Sequence, residues 1–429
     1  MRFGISRQVI TPPMSMKLAC TGAFDINFTS VHDDVYIRTL VLDDGKKKLV
    51  LMSFDLLFHD RLLNDAIAEY AEGKYGIDKS SVIISYTHAH TAPAGRGYNP
   101  GSHCDEYELL LVEKGKEALD CALCSMQEGK AEYGIFDADF NISRRGVYDG
   151  KFGNYPAPDY PHDRELFVLT VRDEGGNVRS VMTNYACHPV FYPAPDRISG
   201  EFPGRLCQLI DANYYGCTSL FFQSSAGDVR PRPTAVMEGE RWHWEGKDFS
   251  GVDAFAKDIC KTVVDIVDNK ELKPIELDIA SDAFAIELPM EPASLEWFEE
   301  KLKVYSDMPA SANMSNAYNI VNGGYEKLPH SMPLHCQAAK LSDSLYIATV
   351  GGEPCFGVKK AAASAFVGKD VCFIGYTDAC AYIVDDRVLS EGGYEPTCHN
   401  EYGHIGPFKP GLDKLYRDNF RAAFEKISK

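Results

Sequence analysis

Short apolar segments of strand length recur along this chain of 429 residues, and several are followed directly by polar residues. They alternate with longer segments of helical periodicity, a pattern typical of an α/β architecture. Strands are predicted at 49–54, 82–85, 166–171, 180–185, 219–223, 345–350 and 371–374. Helices are predicted at 62–75, 106–126, 204–212, 252–267, 295–305, 358–366 and 412–426. We therefore expect an α/β fold with a mixed β-sheet core, flanking helices and a metal site at the C-terminal ends of strands.

The chain is longer than most single domains, but no linker-like tract or block of like charge divides it. We expect one catalytic domain over residues 1–429. The region 232–340 is less regular in pattern and is interpreted as a possible inserted lid or subdomain.

The charge and the apolar pattern argue against two classes of partner. A net charge of -18 repels nucleic-acid phosphates and anionic lipid headgroups, so no nucleic-acid and no membrane partner is expected. The N-terminal segment lacks the apolar stretch of a secretory signal, and no apolar segment is long enough to span a bilayer. These features predict a cytoplasmic protein.

The cysteines fit that prediction. There are 13 of them, an odd number, in a chain too large to need disulfides for stability, so reduced and mostly buried thiols are expected. Cys121 and Cys124 form a CxxC pair, but they lie in a predicted helix with no second pair to complete a tetrahedral zinc site. A structural role for this pair is therefore favoured.

Polar residues with catalytic or metal-binding chemistry follow several predicted strands. They are His88, His90, His188, Asp228 and Glu353. In open α/β sheets the ligand crevice lies at the carboxyl ends of the strands, so these side chains could converge although they are far apart in sequence.

Four of these residues have a second interpretation. His88 and His90 could reach one ion or divide metal binding and proton transfer between them, but a histidine after a strand is often a buried, hydrogen-bonded group. Pro189 forces His188 out of regular strand geometry, and the alternative for His188 is simple packing. Glu353 follows two glycines and could approach a ligand closely, or it could be an N-terminal helix charge.

A series of motifs that spans nearly the whole chain resembles one known family. The motifs are Gly4-Ile-Ser, Ile10-Thr-Pro-Pro, 31–45, Thr87-His-Ala-His-Thr-Ala-Pro, Asn141-Ile-Ser-Arg, Asn184-Tyr-Ala-Cys-His-Pro, Gly200-Glu-Phe-Pro-Gly, Gly227-Asp-Val, Gly352-Glu-Pro, Tyr382 and Tyr394-Glu395. In this order they resemble the neutral ceramidases, zinc amidases that cleave the N-acyl bond of ceramide. The segment at Thr87 resembles the metal motif Thr-His-x-His-Ser-Gly-Pro of that family.

The resemblance implies roles for seven residues. Those that resemble the family's zinc ligands are His88, His188, Glu353 and Tyr382, with Tyr376 as a competing candidate for Tyr382. Those that resemble its substrate-side catalytic residues are His90, Arg144 and Tyr394. Nitrogen and oxygen ligands with an open position fit a catalytic Zn²⁺ rather than a structural one.

One position departs from the family pattern in a way that changes the expected reaction. Where the family has a serine nucleophile after Gly-Asp-Val, this chain has Arg230, which cannot accept an acyl group. A C-terminal β-sandwich domain of the family is also expected to be absent. The resemblance therefore implies the fold and the zinc chemistry, but ceramide is not the expected substrate.

A mechanism without the serine remains available. Zinc lowers the pKa of a bound water from 15.7 to roughly 7, so water can attack directly. His90 would move the proton to the leaving group. Arg144 and Arg230 would stabilise developing negative charge or bind a substrate carboxylate or phosphate.

Three further residues are predicted to bind substrate. Asp228 follows a strand, and Trp242 and Trp244 could stack against a ring or a sugar, although packing is an equally good explanation for the two tryptophans.

These observations lead to three functional hypotheses. The first is a zinc-dependent hydrolase that cleaves an amide (N-acyl) or related bond in a small polar or anionic substrate. The second keeps the zinc in a glycosidase, lyase or isomerase that acts on a sugar-like molecule. The third is a non-catalytic metal-binding relative. The expected partner is a small molecule, and a homo-oligomer is possible.

Overall fold

The computed structural model describes residues 1–19, 27–96, 104–194, 196–305, 317–378, 381–398 and 406–429. The strands are β1 (Arg2–Val9), β2 (Ser30–Val31), β3 (Tyr36–Asp43), β4 (Lys48–Phe54), β5 (Val82–Tyr86), β6 (Gln127–Asp137), β7 (Asn141–Tyr148), β8 (Lys151–Ala157), β9 (Glu165–Asp173), β10 (Val178–Tyr185), β11 (Arg197–Ile198), β12 (Leu220–Gln223), β13 (Val229–Pro231), β14 (Ala235–Glu238), β15 (Arg241–Trp244), β16 (Lys273–Ile275), β17 (Ala280–Pro289), β18 (Ser331–Lys340), β19 (Leu345–Val350), β20 (Glu353–Pro354), β21 (Asp370–Ile374) and β22 (Tyr382–Ile383).

Helices follow most of the central strands. They are α1 (Arg61–Tyr75), α2 (Asp105–Cys124), α3 (Glu201–Asn213), α4 (Phe249–Asn269), α5 (Leu295–Tyr305), α6 (Phe356–Ala363), α7 (Asp386–Glu391), α8 (Tyr394–Thr397) and α9 (Leu412–Ile427). Local signals fix their ends: the Asp60 carboxylate accepts a hydrogen bond from the Leu62 amide at the start of α1, and Gly76 ends that helix in a left-handed conformation.

The larger sheet has the strand order β12-β10-β9-β6-β1-β3-β4-β5, and β16 also pairs with β6. A parallel pair lies at each end of this sheet: Met182 of β10 is opposite Leu220 of β12, and Val50 of β4 is opposite Val82 of β5. The other pairs of this sheet are antiparallel.

The second sheet has the order β17-β18-β19-β21, in which only β19 and β21 are parallel. Four smaller sheets are separate from these two, and they are β13-β7-β8, β14-β15, β20-β22 and β11-β2. The sheets are thus mixed, as the sequence predicted.

Alternate residues of the buried strands face different apolar cores. Leu51, Phe222 and Ile347 belong to a central core to which both sheets contribute. The opposite faces are covered by helices: α1 and α2 pack on β3 to β5, α3 and α4 pack on β9, β10 and β12, and α6 and α9 pack on the second sheet. Because the parallel pairs are apolar on both faces, they read as continuous apolar runs in the sequence.

The carboxyl ends of the parallel pairs meet. The Tyr86 amide at the end of β5 donates to the Tyr376 carbonyl just after β21 (3.0 Å), and the Gly375 amide donates to the Gln223 carbonyl at the end of β12 (2.9 Å). This junction confirms the expected α/β fold class and places the loops that follow several strands side by side.

The region 232–340, interpreted from the sequence as a lid or an inserted subdomain, contributes to both sheets. It supplies β16 to the larger sheet and β17 and β18 to the second sheet, and its helix α4 packs on α3. Around α5, a small separate cluster forms from Phe298, Ala317 and Ile320. Most of the region therefore packs as part of the main body.

Two further sequence expectations concern helices and thiols. In the part of the chain that the structure describes, no helix is both long and apolar enough to cross a bilayer. The cysteines from Cys104 to Cys372 form no disulfide with one another, most of them are buried, and Cys121 and Cys124 lie exposed on α2.

A buried ion pair beside the first helical layer gives a test of this packing. The Arg38 Nη1 atom lies 2.6 Å from Asp55 Oδ2, and both side chains are almost fully buried. Arg38→Met leaves the Asp55 carboxylate without its counter-ion, so we expect the free energy of unfolding to fall by about 3–5 kcal/mol.

Urea unfolding followed by tryptophan fluorescence measures this loss. The matched control is Lys414→Met, which breaks the exposed Lys414–Asp418 pair on α9 and is expected to cost less than about 1 kcal/mol. Equal losses in the two variants would contradict the importance of the buried pair.

Candidate metal centre

The loops after three strands carry the predicted ligands. His88 follows β5, His188 follows β10, and Glu353 follows β19. Glu353 begins β20, which pairs in parallel with β22 so that Glu353 lies opposite Tyr382. The meeting of the strand ends therefore brings these four positions together.

Three imidazoles and one carboxylate form a compact buried cluster. His188 Nε2 lies 3.2 Å from His88 Nε2 and 3.1 Å from His90 Nε2. Glu353 Oε2 lies 3.3 Å from His88 Nε2. Among the described residues, His88, His90 and His188 are the only group of three or more His, Cys, Asp or Glu side chains whose ligand atoms all lie within 4.8 Å of one another.

Hydrogen bonds from Nδ1, the ring nitrogen that points away from the cluster, determine the tautomers of two of these imidazoles. His88 Nδ1 lies 2.9 Å from the Leu57 carbonyl oxygen, and His188 Nδ1 lies 3.3 Å from the Ala226 carbonyl oxygen. A carbonyl only accepts hydrogen bonds, so each Nδ1 is the protonated nitrogen and each Nε2 presents a lone pair. Two lone pairs that face each other repel, and a cation between them removes that repulsion. Such outer hydrogen bonds are typical of histidines that bind metals, so the residues present fit a metal ion.

The electrostatic setting favours neutral imidazoles. Burial, and next the neighbouring His88, lower the pKa of both His90 and His188. Unprotonated imidazole is the form that binds a metal or accepts a proton, so both side chains are in the form that the chemistry requires near neutral pH.

Left-handed backbone conformations are concentrated in the loops of this cluster. Of five non-glycine residues with positive φ in the described chain, four lie here: His88 (65°), Tyr192 (53°), Glu201 (49°) and Tyr376 (59°). Each such residue costs of order 1–3 kcal/mol and persists only where the surroundings hold it. Strain of this kind is typical of active sites.

Glu201, at the start of α3, helps to stabilise this strained backbone. Its carboxylate accepts a hydrogen bond from the Thr91 amide (2.9 Å), which follows His90 directly. Burial raises the pKa of Glu201 to about 8. The carboxyl group of Glu201 therefore fixes the end of the segment that carries His88 and His90.

The two glycines before Glu353 are required by close contacts. Gly352 has a φ of 69°, and a Cβ atom on Gly351 would lie 1.9 Å from Asp378 Oδ1. A side chain at either position would displace the loop that carries Glu353.

The cluster forms one wall of a cavity of about 130 Å³. Eight residues that the sequence predicted line this cavity, and they are His88, His90, Arg144, His188, Arg230, Glu353, Tyr382 and Tyr394. Five more were not predicted, and they are Leu57, Phe58, Asn154, Val190 and Tyr192. Tyr192 and Val190 lie in the loop that His188 and Pro189 begin, and this proximity in sequence is the one signal that could have indicated them.

Arg144 and Arg230 reach the cavity from neighbouring strands. β13 pairs with β7, so that Arg230 lies opposite Ile142, and the Arg144 amide donates to the Asp228 carbonyl (2.9 Å). Arg144 Nε donates to Glu395 Oε1 (2.9 Å), and the guanidinium carbon lies 4.9 Å from the centre of the Tyr382 ring. Arg144 is thus held in place between a carboxylate and an aromatic ring.

The two candidate tyrosine ligands occupy different positions. Tyr382 lines the cavity beside the histidines. Tyr376 packs its ring 4.6 Å from the His88 ring, outside the cavity lining, and its buried hydroxyl has no hydrogen-bond partner among the described residues. Both remain close enough to the cluster to be tested as ligands.

The predicted substrate-binding residues Asp228, Trp242 and Trp244 do not line the cavity. The Asp228 carboxylate accepts from the Phe356 amide (3.1 Å) and so caps the start of α6, and burial raises its pKa to about 7. Trp242 lies in the β14–β15 hairpin opposite Met237.

Trp244 lies outside the cavity lining but packs against Arg230, which is part of that lining. The guanidinium carbon of Arg230 lies 4.3 Å from the centre of a Trp244 ring, and Trp244 Nε1 donates to the Asn154 carbonyl (2.9 Å). Trp244 therefore helps to hold the Arg230 guanidinium in its position at the cavity.

Comparison with known proteins identifies the fold. No family model matches the sequence. The chain superposes on the neutral ceramidase from Pseudomonas aeruginosa with a TM-score of 0.74 and 15% identity, covering 100% of this chain and 75% of that one. A second solved structure, a ceramidase complexed with C2, gives a TM-score of 0.74 and 14% identity over 99% of this chain and 75% of that one. The fold is that of the neutral ceramidases, which confirms the resemblance read from the sequence.

Metal analysis of purified variants tests the centre. Prepared without chelator, the wild-type protein is expected to contain about one zinc ion per chain, because its ligand atoms are already assembled. His88→Ala and His188→Ala each remove one nitrogen ligand and are expected to lose the metal, as measured by inductively coupled plasma mass spectrometry.

The matched control is His243→Ala, which alters a histidine in the β14–β15 hairpin outside the cluster and should keep the metal. Circular dichroism of all three variants checks that they are folded. A wild-type protein free of metal, or folded His88 and His188 variants that retain it, would argue against this centre.

Proposed function

We propose that the protein is a zinc-dependent hydrolase that cleaves an amide (N-acyl) or related bond in a small polar or anionic substrate. The observation that supports it most strongly is the 3.2 Å approach of the His88 and His188 Nε2 atoms, both with their lone pairs toward the cavity. A cation satisfies that arrangement, and the adjoining cavity gives a substrate access to it.

The proposed ligands are His88, His188, Glu353 and Tyr382, a set of nitrogen and oxygen donors that suits zinc. When bound there, zinc would polarise the scissile carbonyl and make a water molecule nucleophilic near neutral pH. We assign the phenol ligand to Tyr382 rather than Tyr376 because Tyr382 lines the cavity and its strand pairs with that of Glu353.

His90 is proposed as the proton-transfer group. It lines the same cavity, and its lowered pKa leaves the ring unprotonated near neutral pH. Its Nδ1 atom has no hydrogen-bond partner among the described residues, so the ring can take a proton from water and return it to the leaving nitrogen.

Arg144 and Tyr394 complete the substrate-side wall. The ion pair with Glu395 holds the Arg144 guanidinium beside the cavity, where it would stabilise negative charge that develops on the carbonyl oxygen. Tyr394 lines the cavity next to Tyr382, with ring centres 5.5 Å apart, and would donate a hydrogen bond to the substrate.

The size of the cavity bears on the substrate. A volume of about 130 Å³ is well below the roughly 300–1,000 Å³ of pockets that bury drug-sized ligands, and it is too small for the two long hydrocarbon chains of a ceramide. We therefore propose a small substrate instead of ceramide. We propose a cytoplasmic location, which fits the buried thiols from Cys187 to Cys372.

The activity is tested with a panel of small N-acetylated amino acids and N-acetylhexosamines. The zinc-loaded enzyme is expected to release free amine from at least one compound, measured with fluorescamine. His90→Ala should slow the release about 10²- to 10⁴-fold without loss of zinc, because it removes proton transfer and not a proposed ligand. His243→Ala again serves as the control. No amine from any compound, or full activity in His90→Ala, would contradict the proposal.

The tyrosine assignment has its own test. Tyr382→Phe removes a proposed ligand oxygen and is expected to weaken zinc binding by at least the roughly tenfold that loss of an outer partner costs. Tyr376→Phe, which removes a buried hydroxyl from the other candidate, is the matched variant. Competition with a fluorescent zinc chelator measures both affinities, and a larger effect of Tyr376→Phe would reverse the assignment.

A further inference from the structure

Arg230 is a buried cation without a counter-ion in the described part of the chain. Only 7% of the residue is exposed, and no carboxylate of the described residues lies within ion-pair distance of it. Its one hydrogen bond runs from Nη2 to the Val190 carbonyl (3.3 Å), and its Nε has no partner there.

The other buried arginines differ in this respect. Arg38 pairs with Asp55 at 2.6 Å, and Arg144 and Arg145 share the Glu395 carboxylate at 2.9 and 2.6 Å. A buried charge without a partner is costly, and these three pairs show how the same fold normally compensates an arginine.

The charge of Arg230 persists at neutral pH. Burial, with a contribution from Arg144, lowers the pKa of Arg230 to about 10, which still leaves the guanidinium protonated. Deprotonation therefore does not relieve the unpaired charge, and an anion from outside the chain can do so because Arg230 lines the open cavity.

Aromatic rings hold the guanidinium in one place. Trp244 lies 4.3 Å from its central carbon, and Trp244 is itself fixed by a hydrogen bond to Asn154. Tyr192 lies 5.9 Å from the same carbon, and its ring centre is 5.8 Å from that of His90. Arg230 thus occupies the part of the cavity beside His90.

We propose that Arg230 binds a carboxylate or phosphate group of the substrate, on the side of the cavity next to His90. The planar guanidinium matches either oxyanion in a bidentate geometry. The inference rests on the proposed function only because it takes this cavity as the substrate site. It narrows the class of substrate to small anionic molecules whose charged group lies beside the bond that is cleaved. Arg230 is a specificity-determining residue in this scheme.

Isothermal titration calorimetry with two anionic probes tests the proposal. Succinate and inorganic phosphate are titrated into the zinc-loaded protein, with neutral succinamide as the control ligand. Arg230→Gln is expected to weaken binding of at least one anion by about tenfold or more and to leave succinamide unchanged, because it removes one charge-assisted contact. Arg230→Lys keeps the positive charge but lacks the two-pronged guanidinium. Its affinity for the anion should therefore lie between those of the wild type and Arg230→Gln.

The matched control is Arg232→Gln, which alters the next arginine along the chain, a partly exposed residue paired with Asp139. It should bind both anions as the wild type does. A larger loss for succinate assigns a carboxylate, and a larger loss for phosphate assigns a phosphate. Unchanged anion binding in Arg230→Gln, or no anion binding by the wild type at millimolar concentration, overturns the proposal.

The zinc content of every sample separates this inference from the proposed function. If the wild type lacks zinc, the proposed hydrolase fails, but loss of anion binding in Arg230→Gln still supports the anion site. If zinc is present and anion binding does not depend on Arg230, the anion site fails and the hydrolase stands.

Discussion

The site depends on three parallel strand pairs whose carboxyl ends meet at one junction. Hydrogen bonds among the ends of β5, β12 and β21 fix this junction, and the pairs are buried between a central apolar core and helices. Because a strand has a direction, the loops that leave these pairs emerge on the same side. Side chains of residues that are far apart in the sequence are therefore brought within 3.3 Å of one another.

Buried carboxylates hold the loops at that junction. Glu201 fixes the segment after His90, and Asp228 caps α6, the helix that follows Glu353. Asp163 accepts hydrogen bonds from Ser224 (2.7 Å) and Ser225 (2.8 Å) and pairs with Lys359 on α6 at 2.8 Å. Strained backbone near the cluster is maintained by these contacts, so part of the stability gained in the core offsets the cost of the site.

The sequence predicted most of the strands that are buried on both faces, but it missed the equally buried β3 and several half-exposed strands. All seven predicted strands and all seven predicted helices overlap observed elements, because continuous apolar runs and helical periodicity survive in the sequence. The unpredicted strands β8 and β17 have half-exposed, mixed sequences, and their pairing depends on distant partners. At the site, strand ends indicated the histidines and Glu353. The carboxylate of Asp228 also follows a strand but points to a helix amide, and Tyr192 approaches the cavity through a loop. The direction of a side chain after a turn is set by tertiary packing and leaves no signal in a single sequence.

The spread of the cluster along the chain has a consequence for how the protein is made. A nascent chain that ends before β19 contains all three histidines but lacks Glu353, β19 and the segment after β21, whose Tyr376 carbonyl accepts a hydrogen bond from the Tyr86 amide just before the first histidine loop. The imidazoles therefore cannot be fixed in their final arrangement until nearly the whole polypeptide has left the ribosome. Any metal that this cluster holds is acquired late in biosynthesis, and its retention then reports that both ends of the chain have folded together.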